Sequence, residues 1–278
     1  MNWSKAKTIA ILFFLTLNLS LATLVYLEGR QFILDPTSQQ AITQVLAGQS
    51  ITLGSDFTFI NHAPRRRMSV GEHPLSNREL VSLFMREPMG LSVAQTDDGE
   101  RFTTSHEQIS FQQGRLHYTN LGLPLRFEHE TDKRSFATQI IQGLGDIGRY
   151  FALDTHTLVN GTGELAYRQL YRNHVIESNY LIFRFEQGQL THMLFHFQPV
   201  AGFFGEARAL RSTDEALLLS MRYLRGFTDS AAVITAMDLV YRVQDMVAGP
   251  YYRVFVKLEN GAPHTLLVNA YTGEMIHD

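Results

Sequence analysis

The sequence predicts an α+β fold: a single N-terminal transmembrane helix followed by two extracytoplasmic domains of antiparallel sheet with packed helices. Three observations predict it. Residues 8–27 are twenty positions without a charge, and a helix rising about 1.5 Å per residue over that length covers roughly 30 Å, the hydrocarbon thickness of a bilayer. Beyond them, a helical pattern followed by short β-rich segments occurs at least twice. The links between those segments are too short for parallel crossovers, which disfavours a doubly wound sheet.

The apolar run reads as a retained anchor. A secretory signal has a shorter core, about 7–15 residues, followed by a small-residue cleavage site, whereas Ala22 lies inside the run. Lys5 and Lys7 precede it, and Glu28 offsets Arg30 beyond it. The basic side stays in the cytoplasm, so the chain is expected to be single-pass in the cell membrane, N-terminus in and body out. Trp3 and Tyr26 fall at the two interfaces. Within the span, Thr16, Ser20 and Thr23 share one helical face and Asn18 lies nearly opposite. Hydroxyl residues allow close helix approach in lipid, and an Asn amide gains by bonding to a second helix, so these four are the candidate partner-binding residues. The alternative is that the hydroxyls bond back to their own helix.

The expected organisation is a cytoplasmic N-terminus (1–7), the span (8–27), a linker (28–35), a first extracytoplasmic α+β domain (36–130) and a second (131–278). In the first, Asp35-Pro36-Thr37-Ser38 signals a helix start, and Ala41, Ile42, Val45 and Leu46 keep helical spacing to Gly48. Residues 51–60 read as a strand. Ser76-Asn77 opens a second helix bearing Leu80, Val81, Phe84 and Met85, and three strands follow near 101–104, 108–111 and 116–118. The polar stretch 128–133 is the expected boundary.

In the second domain a long helix is expected over 135–151, then strands at 164–171, 180–185 and 190–197. Ser212-Thr213-Asp214-Glu215 caps a helix with Ala216, Leu217, Leu219, Met221, Tyr223 and Leu224 on its apolar side. Strands at 232–241, 251–258 and 264–270 close the chain, with Asn260-Gly261 as a hairpin turn.

Composition narrows the function. The 45% hydrophobic and 18% charged residues are those of an ordered globular chain. A net charge of −3 argues against nucleic acid, which needs a concentrated basic face; Arg65-Arg66-Arg67 is the one basic run and reads as a solvated loop or strand edge. There is no cysteine, so neither disulfides nor thiolate metal sites are available. Gly143-Leu144-Gly145-Asp146-Ile147-Gly148 matches a dinucleotide fingerprint, but Phe136, Ile140, Ile141, Leu144, Ile147 and Phe151 keep a helical period through it, where the fingerprint needs a preceding strand. His192 and His196 have zinc spacing only on a helix; on a strand they lie about 13 Å apart. Asp97-Asp98 reads as a solvated turn, and Asn160-Gly161-Thr162 as a turn rather than a glycosylation site. No catalytic residue, metal or cofactor is expected.

The N-terminus resembles the YycI family, whose members open with an acidic or amide residue, then Trp-Ser-Lys, a further Lys, Thr-Ile and an apolar span with an embedded Asn or Asp. Here these are Asn2, Trp3, Ser4, Lys5, Lys7, Thr8, Ile9 and Asn18. The C-terminal residues 251–275 resemble the closing strands of that family and of PepSY-like modules, with Asn269 before Thr272-Gly273-Glu274. The resemblance implies a non-enzymatic regulator in the membrane of a Gram-positive bacterium. Its partners would be the sensor histidine kinase WalK of the WalRK system (cell-wall homeostasis), a YycH-like protein and the lipid bilayer. The competing expectation is an extracytoplasmic binding module for a cell-wall or peptide ligand.

Overall fold

The computed structural model describes residues 7, 11–23, 34–97, 99–261 and 263–276. In chain order its elements begin with α1 (residues 11–23), α2 (Pro36–Ala47), β1 (Ile51–Leu53), β2 (Arg65–Val70), α3 (Asn77–Phe84), β3 (Ser92–Thr96), β4 (Gly99–Thr103), β5 (Glu107–Gln112) and β6 (Arg115–Asn120). Then come α4 (Glu130–Gly143), a 3-10 turn (Gly148–Tyr150), β7 (Phe151–His156), β8 (Gly163–Tyr171), β9 (His174–Glu186), β10 (Gln189–His196) and β11 (Val200–Arg208). The chain closes with α5 (Thr213–Phe227), β12 (Ala232–Gln244), β13 (Val247–Leu258), β14 (Pro263–Asn269) and β15 (Met275–Ile276).

Strand dominates, and this corrects the expected fold class. Among the described residues no helix is long and apolar enough to cross a membrane. Residues 8–10 and 24–27 of the expected span lie outside the described residues, as do Asn2, Trp3, Ser4 and Lys5. Nor is the sheet purely antiparallel: β1 runs parallel to β12, Ile51 opposite Ala232, and β12 meets β9 in a parallel bridge, Tyr241 to Ile176.

The chain forms two compact units, each assembled from separated segments. Unit 1 takes Met1–Arg65, Ala207–Asp238 and Tyr251–Asp278; unit 2 takes Arg66–Glu206 and Leu239–Pro250. Residues 130 and 131, the expected cut, both fall in unit 2.

In unit 2 an antiparallel path runs β7-β8-β9-β10-β6-β5-β4-β3. Two-residue turns with both φ positive close its hairpins: Gln113-Gly114, Arg172-Asn173 and Gln187-Gly188. That backbone matches the right-handed twist of the flanking strands. Alternation along β9 and β10 sends Leu181, Phe183, Phe185, Met193 and Phe195 to one face, where α3 (Leu80, Val81, Phe84) and α4 (Phe136, Ala137, Ile140) complete one hydrophobic core. A capping box starts α3: Glu79 N–H donates to Ser76 Oγ (3.3 Å), and Ser76 N–H donates to the Glu79 carboxylate (2.7 Å).

The helix expected over 135–151 is corrected to Glu130–Gly143. Gly145 takes φ +60, and a Cβ at Gly148 would collide with the Ile141 carbonyl. The glycines therefore turn the chain back on the helix instead of merely weakening it. The charged stretch 128–133 opens α4, with Lys133 buried, its Nζ donating to Phe127 O (3.0 Å) over the Phe185 ring.

In unit 1, Asp35 caps α2 by accepting from Thr37 N and Ser38 N, with Pro36 in the first turn. The strand expected over 51–60 shortens to β1, whose parallel ladder with β12 ends with the bond from Gly54 N–H to Ile234 O (2.8 Å). Antiparallel β13-β14 and β14-β15 pairs follow. Helix α5 packs against α2, β14 and β15.

Candidate interaction surface

The four residues singled out in the N-terminal helix are exposed on α1. Thr16 Oγ1 donates to Leu12 O (2.9 Å), Asn18 Nδ2 to Phe14 O (2.8 Å) and Thr23 Oγ1 to Leu19 O (2.8 Å). These groups bind the carbonyl one turn back on their own helix. Ser20 lies on the same exposed helix.

A surface with more chemical content lies along α5. Thr213, Ala216, Leu217, Ser220 and Leu224 form its buried stripe, the i, i+3, i+4 pattern of a core-facing helix. The helix start is tied down from a distance. Asn61 Oδ1 accepts from Thr213 N (2.8 Å), Thr213 Oγ1 donates to Ile60 O (2.6 Å), and the buried Tyr252 hydroxyl donates to Arg211 O. Ser212, the expected cap, makes no side-chain capping bond. Burial, with the Asp214 and Glu215 carboxylates nearby, pushes Tyr252 up to about 12, so its hydroxyl stays a donor.

Beside the buried stripe runs a second one, Leu219, Tyr223 and Phe227, spaced i, i+4, i+8. Together with Arg222, Gly226 and Met275 it lines an open groove of about 550 Å³. Three rings are stacked in series here. Tyr223 and Phe227 lie nearly parallel with centroids 6.1 Å apart, and Phe227 and His264 are 5.3 Å apart at 6°. Their faces are covered by one another, yet Phe227 remains 55% exposed. Arg222 is exposed and has no ion pair among the described residues.

The floor is set by the Asn269 turn. Asn269 Oδ1 accepts from Tyr271 N (2.9 Å) and Thr272 N (3.1 Å), and Gly273 N–H donates to Asn269 O (2.8 Å). Gly273 has φ +79, and a Cβ there would lie 2.8 Å from Leu219 Cδ1 and 2.9 Å from Arg211 Nε. Only glycine lets the turn close on α5 and bring Met275 to the groove.

Other candidates resolve into structure. His192 and His196 stand on strand β10, and His196 Nδ1 donates to Ser178 O (2.7 Å). Burial holds His196 below its ordinary value, opposed by that hydrogen bond and reinforced by Arg115 and His73. Among the described residues no three His, Cys, Asp or Glu side chains gather where they could hold a metal ion. The buried Glu107 carboxylate accepts from Arg86 N (3.0 Å), Glu87 N (2.8 Å) and Tyr118 OH (2.9 Å). All three donors hold a loop and a core tyrosine in place.

The sequence reading placed Leu219 and Tyr223 on the apolar side of α5. It missed Phe227, which the i+4 spacing from Tyr223 would have found, and His264 and Met275, which arrive from other elements and leave no local signal.

No protein family matches the chain by its sequence profile, and no curated protein matches it. Among solved structures it is similar to an uncharacterized protein from Eubacterium rectale ATCC 33656, with 8% identity and a TM-score of 0.48 over 82% of this chain and 92% of that one. It also has a coarse likeness in fold to YycH from Bacillus subtilis, with 12% identity and a TM-score of 0.49 over 77% of this chain and 55% of that one. The YycI family itself is not among these findings.

Proposed function

We propose that this chain is a non-enzymatic regulator of a WalK-type sensor histidine kinase, working on the extracytoplasmic side through protein contacts, with a YycH-like protein as a second partner. The observation that carries the reading is the α5 groove. Aromatic residues, Met and Arg are the types enriched at the cores of protein interfaces, while Lys, Asp, Glu and Ser are depleted there. The groove lining, Leu219, Arg222, Tyr223, Gly226, Phe227 and Met275, has that composition. The rings are already stacked against each other, so an incoming segment would meet anchors whose ordering cost is reduced. The choice of kinase rests on the resemblance of Asn2, Trp3, Ser4, Lys5, Lys7, Thr8 and Ile9 to the YycI family opening, and of the Asn269 turn to its closing strands. Regulation follows if the groove prefers one signalling state of the kinase, since only differential affinity shifts an equilibrium.

The test is titration calorimetry of the full chain with the extracytoplasmic domain of the kinase. Saturable binding that Arg222→Glu weakens supports the reading; no binding, or binding indifferent to that reversal, contradicts it. The groove volume also lies within the range of about 300–1,000 Å³ for small-ligand sites, which favours as a second reading a module for a cell-wall or peptide ligand. Binding of purified muropeptides in the same calorimeter, without binding of the kinase domain, would select it.

A further inference from the structure

The sheet of unit 2 carries its core on one face. Helices α3 and α4 lie on the side of Phe183, Met193 and Tyr118, and the alternate residues of the same strands point the other way. The register sets those outward residues in cross-strand rows. One row runs Ala166, Ile182, Leu194, His117, Ser110 and Arg101. On one side of it Arg184, His192, Thr119 and Gln108 form a second row. On the other side lie Arg168, Tyr180 and His196, with Arg115 two residues before His117 on β6.

This face has an apolar strip, Ala166, Ile182 and Leu194, with arginines around it, and its charges are unequal. Arg168 is held by Glu177 (2.9 Å) and Asp154 (3.9 Å), and Arg184 by Glu164 (2.6 Å). The other outward carboxylate, Glu186, stands at the end of β9 beside the hairpin turn. Arg101 and Arg115 are exposed and have no ion pair among the described residues. Burial, then the charges of Arg115 and Arg184, hold His117 below its ordinary value, so the middle of the face lies in a positive field.

We propose that this face binds an acidic segment of a partner protein, with apolar side chains on Ile182 and Leu194 and carboxylates on Arg101 and Arg115. Guanidinium groups pair with carboxylates in a two-point fork and shed water more readily than ammonium groups. An apolar centre within a polar, arginine-bearing rim is the anatomy of a protein interface. Nucleic acid fits less well. Single strands stack their bases on open rings, and Tyr180 is covered by the Arg168 guanidinium (5.3 Å) and the His196 ring (6.0 Å). A second copy fits less well too, because a two-fold contact of this face with itself puts the same uncompensated positive charge on both sides. The residues of this face all belong to unit 2, whereas those of the α5 groove belong to unit 1. The proposal does not rest on the reading given to the groove.

The probe is a fluorescein-labelled peptide, Glu-Glu-Glu-Ile-Ser-Leu-Glu-Glu-Glu, added to the full chain at low salt. One control replaces every Glu by Gln, and another replaces Ile and Leu by Ser. Expected are saturable anisotropy and binding weakened at least about tenfold by the Gln peptide or by Arg101→Glu with Arg115→Glu, at least about threefold by the Ser peptide, and not at all by Arg222→Glu in the groove. Arg101→Gln with Arg115→Gln serves in the same way should the reversed pair lower the melting temperature. No binding at millimolar peptide, equal binding of the Gln peptide, or indifference to the arginine changes overturns the proposal. Indifference to the Ser exchange overturns it as well, and equal binding of inorganic polyphosphate would then assign the face to a polyanion. Concentration-dependent dimerisation that the peptide displaces would assign it to a second copy and overturn it too.

Discussion

Replacing Phe227 by alanine should separate partner binding from folding. A phenylalanine side chain carries about 200 Å² of surface. With Phe227 55% exposed, about 110 Å² is open to a partner and about 90 Å² is already covered by Tyr223, His264 and the groove wall. At about 25 cal/mol per Å², the open part is worth about 2–3 kcal/mol to a complex and the covered part about 2 kcal/mol to the fold. Phe227→Ala should therefore weaken binding of the kinase extracytoplasmic domain by about 30- to 100-fold while lowering the melting temperature by only about 5 °C. Parallel calorimetry and thermal melting read both numbers. An affinity within about threefold of wild type, with the fold intact, would refute the assignment of the groove.

Three further outcomes follow from the geometry. Glu107→Ala takes the acceptor from the buried Tyr118 hydroxyl and from the partly buried backbone N–H groups of Arg86 and Glu87 and should cost about 2–4 kcal/mol in urea unfolding, against about 1 kcal/mol for Tyr118→Phe, which leaves the carboxylate its two backbone partners; similar losses for the two would contradict it. Gly273→Ala should cost about 1–3 kcal/mol, since alanine at φ +79 is strained and its Cβ meets Leu219 and Arg211, and a neutral result in the same assay would mean the turn is not tightly held. His196 has a folded-state pKa below its ordinary 6.5, so the unfolded chain binds the proton more readily. Stability should fall as pH drops through about 6.5 toward the lower folded value. His196→Gln should flatten part of that slope, leaving the contributions of His62, His73 and His117, which are lowered too; urea midpoints between pH 7.5 and 5.5 measure it, and an unchanged slope would contradict the assignment.

The helices were legible where a cap marks them. Asp35-Pro36 and the Ser76/Glu79 box announce α2 and α3, and the apolar spacing in α5 fits its buried stripe. Hairpins were legible where glycine supplies positive φ, as at Gly114 and Gly188. Those at Arg172-Asn173 and Asp245-Met246 adopt the same geometry without glycine; Asn173 and Asp245 are types that tolerate positive φ, while Arg172 and Met246 give no such signal. β3, β7 and β11 went unread because their exposed, mixed residues carry no clear alternation. The parallel pairing of β1 with β12 has no local trace, since the partners lie at opposite ends of the chain. For the same reason no linear cut describes two units built from interleaved segments. The hydroxyls of α1 fitted a second helix and self-bonding equally well by spacing; Thr16 and Thr23 bond to Leu12 O and Leu19 O of their own helix. Of the groove, the α5 half was readable and the half supplied by His264 and Met275 was not.

The account is tested most directly by amide hydrogen exchange on the full chain, alone and with the extracytoplasmic domain of the kinase. Slowed exchange over residues 219–227 and at Met275 and Ile276 in the complex is the predicted result. Exchange in those residues unchanged at saturating kinase domain would contradict it.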